Sequence, residues 1–208
     1  MRLIVVAAGV MLMAALSAPV FALQPCPQDI DEYRQFLDSE LRQRTPGRTI
    51  ATFLAMPSFE PESAVVLSEA DGKPTVSVVR FTQSVWYGSV EEFKPHTYHH
   101  VFSASKVTAK TQHFSASTEL ASLLQSLLAK EIGRRDATSS GGFDGETYTF
   151  TLVDAGCAQT WSPDSGTRNQ MLVQTFEEVG GLAGIFTNTL RRYSERRLVA
   201  KLKTRWGE

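Results

Sequence analysis

Whole classes of chemistry are missing from this chain. It has only two cysteines and four histidines in 208 residues. That excludes an iron–sulfur cluster or a zinc module built on repeated Cys pairs, which need four ligands at set spacings. No G-x-S-x-G elbow is present for a serine hydrolase. Phosphate-cradling loops and dinucleotide fingerprints are equally absent. The sequence has no internal repeat and no low-complexity tract. One strongly apolar run exists, at the N-terminus, and no second one follows. Charge is near balance, with 21 Lys and Arg against 22 Asp and Glu. No cofactor is implied by any motif.

The apolar run has the layout of an export signal. Arg2 supplies a short positive start, Leu3 to Leu16 the apolar stretch, and Val20-Phe21-Ala22 a cleavage point. Residues 1–22 are therefore expected to be a signal peptide cleaved after Ala22, and 23–208 a single domain large enough for its own core. The expected location is the periplasm. A retained anchor and a lipid-modified Cys26 are the alternatives, the second opposed by Pro25 at the preceding position.

The two cysteines fit an oxidising compartment. An even count in an exported chain predicts a Cys26–Cys157 disulfide that ties the new N-terminus to the centre of the chain. Two separate buried thiols are the other reading.

Charge is unevenly placed along the chain. Residues 23–186 carry 13 Lys and Arg against 20 Asp and Glu, a net of −7. Residues 187–208 carry 7 against 2, a net of +5. An acidic body argues against a nucleic-acid-binding domain. The basic end combines Leu190, Tyr193, Leu198, Leu202 and Trp206 with Arg191, Arg192, Arg196, Arg197 and Lys201. That pattern reads as a basic amphipathic helix over 187–206. Such a helix packs on its own domain, lies on an anionic membrane, or docks on a partner's acidic face or a second copy.

The local patterns alternate hairpins with helices. Asp29 to Arg44 has helical spacing through Tyr33, Phe36, Leu37 and Leu41. Ile50 to Met56 is a strand. Asp71-Gly72 marks the turn of a hairpin from Ala64 to Trp86. A second hairpin is expected from Pro95 to Phe114, turning at Ala104-Ser105. Ser117 to Arg135 is a strongly periodic helix. In the stretch Asp144 to Pro163, Tyr148, Phe150 and Leu152 share one face of a strand and Thr147, Thr149, Thr151 and Val153 the other. Gly156 ends that strand, and Trp161-Ser162-Pro163 starts a helix capped by Asp164 or Ser165. The fold class is α+β, a mainly antiparallel sheet built from hairpins and packed by several helices.

Candidate sites are few. In the expected second hairpin His96 faces His113, about 5 Å apart at Cβ, the start of a two-ligand metal site. Glu60 with Glu62, or Glu91 with Glu92, are the adjacent carboxylates an acid/base pair would need. Trp86 and Tyr87 are aromatic anchors for a partner protein. Trp161 and Ser162 are either part of the core or the lining of a ligand groove.

The run D-G-x-x-Y-x-F, followed by C-A-Q-T-W-S-P and x-S-G-T-R over Asp144–Arg168, resembles a pattern in small exported proteins of Gram-negative bacteria. The likeness extends to Met56 through Glu62. It implies an exported α+β domain and brings no catalytic residues with it. The reading that follows is a non-enzymatic binding protein with a protein partner, in one version an inhibitor or immunity protein of the periplasm. An envelope enzyme with an unrecognised site and a membrane-surface protein are the alternatives.

Overall fold

The computed structural model describes residues 22–27, 32–88, 90–94, 97–101, 107–135 and 144–207. The fold is α+β, as expected. Its centre is a seven-stranded antiparallel sheet in the order β1-β9-β8-β2-β3-β4-β7. These strands are β1 (Gln24–Pro25), β2 (Arg48–Pro57), β3 (Ser63–Ala70), β4 (Lys73–Phe81), β7 (Ala109–Ser115), β8 (Glu146–Leu152) and β9 (Gly156–Trp161). Between β4 and β7 the chain makes a short helix α2 (Val85–Gly88) and two strands, β5 (Val90–Lys94) and β6 (Thr97–Val101). The last two pair with each other as a separate sheet.

The β3–β4 hairpin turns where the sequence says it should. Asp71 and Gly72 both take positive φ, 52° and 70°, the geometry that matches the twist of a two-residue hairpin.

Strand alternation gives the sheet two apolar faces. Phe53, Val65, Leu67, Val76, Val78, Phe114, Phe150, Leu152 and Ala158 point to one side. Three helices close over them: α3 (Thr118–Gly133), α4 (Arg168–Gly181) and α5 (Asn188–Trp206). Ser117 and Thr167 cap α3 and α4, each accepting from the backbone N–H three residues on. Phe53, Phe150 and Phe176 meet at the centre of this layer with ring centroids 5.3–5.9 Å apart, Phe53 stacked on Phe176 and Phe150 tilted against both. Arg168 bridges the helices: it bonds Glu131 of α3 at 2.7 and 2.8 Å and lies 4.7 Å over the Trp206 ring of α5.

The opposite face is covered only in part. Leu54, Ala64, Val66, Val79 and Phe81 pack on Leu37 and Leu41 of α1 (Glu32–Arg44) and on Val85 of α2. The same face of β8 and β9 offers Thr147, Thr149, Thr151, Cys157 and Gln159. Threonine and glutamine do not demand a dry lid, and all of these but the buried Thr149 are left partly exposed.

The bond between Cys26 and Cys157 is present, with Cα atoms 5.5 Å apart. It anchors β1 alongside β9, where Gln24 opposes Gln159. Leu23 is buried in the helical-face core. The Asn169 amide donates to the Ala22 carbonyl at 3.4 Å.

Three expectations need correction. The hairpin from Pro95 to Phe114 does not form: β6 pairs with β5, and β7 adds to the main sheet beside β4. Gly156 does not end the sheet but begins β9, with φ of +93° after the turn from β8. The helix after Pro163 begins at Arg168 under a Thr167 cap, so Asp164 and Ser165 lie in the turn before it.

A candidate binding groove on the half-covered face

Where α1 leaves β8 and β9 open, the surface sinks into a groove of about 1000 Å³. Its floor is Met56, Thr147, Thr151 and Gln159, with the Cys26–Cys157 bridge at one side. Cross-strand register sets this row: Met56 opposes Thr147, and Thr151 opposes Cys157. The Thr151 hydroxyl lies 3.6 Å from the Cys157 sulfur. Aromatic groups form the walls. Tyr33 of α1 meets Trp86 of α2 edge to face, with centroids 5.3 Å apart. Tyr87 and Phe59 stand at the rim, both well exposed. Charges of both signs complete it, Arg34 and Arg135 against Asp38 and Asp144. Arg34 donates to Asp38 at 3.2 Å, one helical turn away.

A buried carboxylate holds the aromatic wall in place. Glu62 is only 1 % exposed. It accepts from the Tyr33 hydroxyl, from the backbone N–H groups of Val85 at 2.8 Å and Trp86 at 3.3 Å, and from Ser84. Negative charge at the exposed N–H groups of a helix start is favourable, and a buried carboxylate needs several donors to offset its desolvation. Glu62 thereby fixes α2 and its Trp86 against Tyr33. Its expected pairing with Glu60 as an acid/base couple is not realised: Glu62 is enclosed while Glu60 is exposed. The other buried glutamates are committed in the same way. Glu40 bonds Arg44, Glu131 bonds Arg168, and Glu195 accepts from the Ser117 N–H at 2.6 Å.

At one end of the groove Asp144 reaches the surface, and Gly145, Trp161 and Ser162 brace the turn behind it. Ser58 and Gly145 clamp each other: the Ser58 N–H and hydroxyl donate to the Gly145 carbonyl at 2.9 and 2.7 Å, and the Gly145 N–H returns to the hydroxyl at 3.1 Å. A Cβ on Gly145 would sit 2.4 Å from the Trp161 ring and from the Ser162 hydroxyl, so only glycine fits. Ser162 takes a positive φ of 32° and accepts from the Glu146 N–H at 2.9 Å.

The candidate residues thus part company. Trp86 and Tyr87 line the groove together with Cys26 and Cys157. Trp161 and Ser162 do not line it; they buttress the turn behind it. His96 lies outside the described residues. His113 is on β7 opposite Ser77, with Nδ1 2.8 Å from the serine hydroxyl. Among the described residues no three His, Cys, Asp or Glu side chains converge on a metal position. Sequence reading missed Tyr33, Arg34, Asp38 and Phe59. Tyr33 belongs to the apolar stripe and does pack on the α1-side core, while its neighbours Arg34 and Asp38 are the sign that this end of α1 faces a wetter place.

Shifted titrations lie on the other face of the sheet. Burial, then the hydrogen bond to Glu146, push the Tyr148 phenol above its ordinary value. Burial, then the charges of Glu146 and Glu178, raise Glu177. Burial works to raise Glu178 as well, but hydrogen bonds from Lys201 and Arg205 outweigh it and hold that carboxyl below its ordinary value.

The basic helix divides in two. Lys201 and Arg205 pair with Glu178 at 2.8 and 2.9 Å, and Lys203 with Glu119 at 2.7 Å. Arg191 reaches back to the Ile185 carbonyl and lies over the Phe114 ring. Arg192, Arg196 and Arg197 are exposed. Among the described residues no helix is long and apolar enough to cross a membrane.

Comparison with family models, curated proteins and solved structures finds no match for this chain.

Proposed function

We propose that this is an exported, non-enzymatic binding protein that receives an extended segment of a partner protein in the groove beside α1, in the manner of a periplasmic inhibitor or immunity protein. The observation that carries the reading is the groove itself. It joins an aromatic wall of Tyr33, Trp86, Tyr87 and Phe59 to a hydrogen-bonding floor of threonines and Gln159. Aromatic side chains that are rigid and partly exposed are the usual anchors of a protein interface. A volume at the upper end of small-molecule sites, open along one side, suits a chain better than a compact metabolite. The buried carboxylates that an acid or base would need are each engaged in holding a helix or an arginine. Export is supported by the leader pattern and by the Cys26–Cys157 bond.

The test is selection of a phage-displayed random peptide library on the immobilised protein. Enriched peptides should bind with micromolar affinity, change Trp86 fluorescence, and lose about 10- to 100-fold in affinity on Trp86→Ala or Tyr87→Ala, as hot-spot truncations do. No enrichment, or peptides that bind both variants as well as the parent, would remove the proposal.

A further inference from the structure

The apolar residues of α5 occupy two opposite faces. Leu198, Val199, Leu202 and Trp206 are buried against α3 and α4. Leu190 and Tyr193, which share the helical spacing of an apolar stripe, are instead 58 % and 59 % exposed. With successive residues turned by about 100°, Leu190, Tyr193 and Arg197 fall in an outward stripe about 60° wide, opposite the buried one. The Arg197 guanidinium sits 5.8 Å over the Tyr193 ring. Just before the helix, Phe186 is 96 % exposed and touches almost nothing of its own chain. Arg196 lies on the flank of this stripe and Arg192 further round, about 100° from Tyr193; both are exposed, with no ion pair among the described residues.

The fold holds this arrangement rigidly. The distal half of α5 is fixed through Lys201 and Arg205 to Glu178, through Lys203 to Glu119, and through Trp206 to Thr175 and Arg168. At the proximal end Arg191 bonds the Ile185 carbonyl and covers Phe114. The turn at Ile185–Thr187 is thereby set so that Phe186 projects. Ordinary packing would place a phenylalanine inward. Here no apolar side chain among the described residues covers it, and Arg197 lies over the neighbouring Tyr193 ring.

We propose that the proximal half of α5 docks the protein on an anionic phospholipid surface. Phe186, Leu190 and Tyr193 would enter the interface, Arg196 and Arg197 would meet the lipid phosphates, and Arg192 would add to the attraction from the side of the helix. Charge complementarity selects the occupant. Residues 187–208 carry a net of +5 on a body with a net of −7, so a surface that attracts this end repels the rest and fixes one orientation. Shape agrees. A projecting Phe needs a matching pocket on a folded partner, whereas a fluid interface accepts it without one, and guanidinium stems snorkel beside it. Three side chains and three arginines give weak, reversible attachment rather than an anchor. The groove beside α1 has no part in this inference.

Flotation with phosphatidylglycerol–phosphatidylcholine vesicles, against phosphatidylcholine vesicles alone, tests it. The protein is expressed from its full-length gene and used in its processed form. The neutral vesicles report any binding through an apolar leader. The expected result is binding to the anionic vesicles that weakens as salt rises. Each arginine near such a surface contributes about a five-fold gain, so Arg192→Gln/Arg196→Gln/Arg197→Gln should lose about 100-fold. Phe186→Ser/Leu190→Ser/Tyr193→Ser should also lose binding, while Trp86→Ala should keep it. All six substituted side chains are exposed, and an unchanged melting temperature checks that both triple variants fold. Wild-type protein that ignores the anionic vesicles, or either triple variant binding like wild type, would overturn the proposal. A wild-type dimer in sedimentation that the serine variant converts to monomer would overturn it too, by giving the patch to a second copy.

Discussion

One sheet, two faces: the helical side is closed by three helices, and the α1 side is left half open. The difference is written in which residues alternate. On the helical side every strand from β9 to β7 contributes apolar groups, among them Ala158, Phe150, Phe53, Val65, Val76 and Phe114. Such a row must be covered, because each buried large side chain is stabilised by roughly 1.5–3 kcal/mol relative to exposure. On the α1 side the apolar row stops at β2. Beyond Leu54 and Met56 the face continues as a buried Thr149 and then the half-buried Thr147, Thr151, Gln159 and Cys157. A helix over these residues would gain little, so the chain leaves a groove and ties its edge with a disulfide. One face is packed throughout, and the other is packed on β2–β4 and open over β8 and β9.

The largest test of that division is the edge tie itself. The Cys26–Cys157 bond closes a sequence separation of 131 residues. The chain-entropy account assigns such a loop about 5 kcal/mol. Cys26→Ser/Cys157→Ser should therefore lower the urea midpoint sharply, and reductant should do the same to the parent and nothing further to the variant.

Next in size is a pair chosen to separate the faces. Phe150→Ala leaves a cavity under α4 and should cost about 3–5 kcal/mol in denaturant unfolding. Tyr87→Ala, at an exposed rim position, should move stability by no more than about 0.5 kcal/mol while weakening peptide capture. Equal stability losses would break the distinction between a packed face and a binding face.

A smaller effect is expected inside the sheet, where the Thr149 hydroxyl is fully buried with no hydrogen-bond partner among the described residues. Thr149→Val keeps the shape and removes the unsatisfied group. It should raise the urea midpoint by about 1 kcal/mol equivalent, since an unpaired buried donor costs about 1–3 kcal/mol. A lowered midpoint would mean that the hydroxyl is satisfied in solution.

The smallest prediction concerns two neighbours with opposite signs. Glu177 is raised in the folded state by burial and then by Glu146 and Glu178, so its contribution to stability is present at acid pH and lost as pH rises through the folded value. Glu178 is lowered, the pull of Lys201 and Arg205 exceeding the opposing effect of burial. Its contribution is present above the ordinary carboxylate value and lost as pH falls through the folded one. At neutral pH, Glu177→Gln should raise the melting temperature and Glu178→Gln should lower it. Both differences should close as the pH falls below the carboxylate range. Shifts of the same sign would show that the two carboxyls are not distinguished by the α5 cations.

Much of the fold was legible because it is local. Asp71-Gly72 specifies its hairpin through positive φ, and Ser117 with the leucine stripe after it specifies α3. The alternation of Tyr148, Phe150 and Leu152 against three threonines fixes the faces of β8. What failed was partner choice. The strands at 97–101 and 109–115 carry equally good patterns for pairing with each other or with separate neighbours, and the sequence between them does not decide. β4 won β7, because the apolar edge of a large sheet offers Phe114 a core that an isolated hairpin lacks. The short β9 was hidden by Gly156, which reads as a stop and serves as a turn. The groove was half visible: Trp86 and Tyr87 stood out as anchors, while Tyr33 and Phe59 join them only because distant segments meet there.

By itself, then, the sequence determined the α+β class, the alternation that assigns the residues of β8 to two faces, the Ser117 start of α3 and the Cys26–Cys157 pairing. These rest on periodicity, on φ preference and on there being two cysteines. The tertiary structure alone decided that the α1 side of β8 and β9 would stay open, that Glu62 would be buried to hold Trp86, and that α5 would turn Leu190 and Tyr193 outward. Each depends on contacts between residues far apart in the chain, and such contacts are fixed by which packing closes the core, not by any residue's own preference.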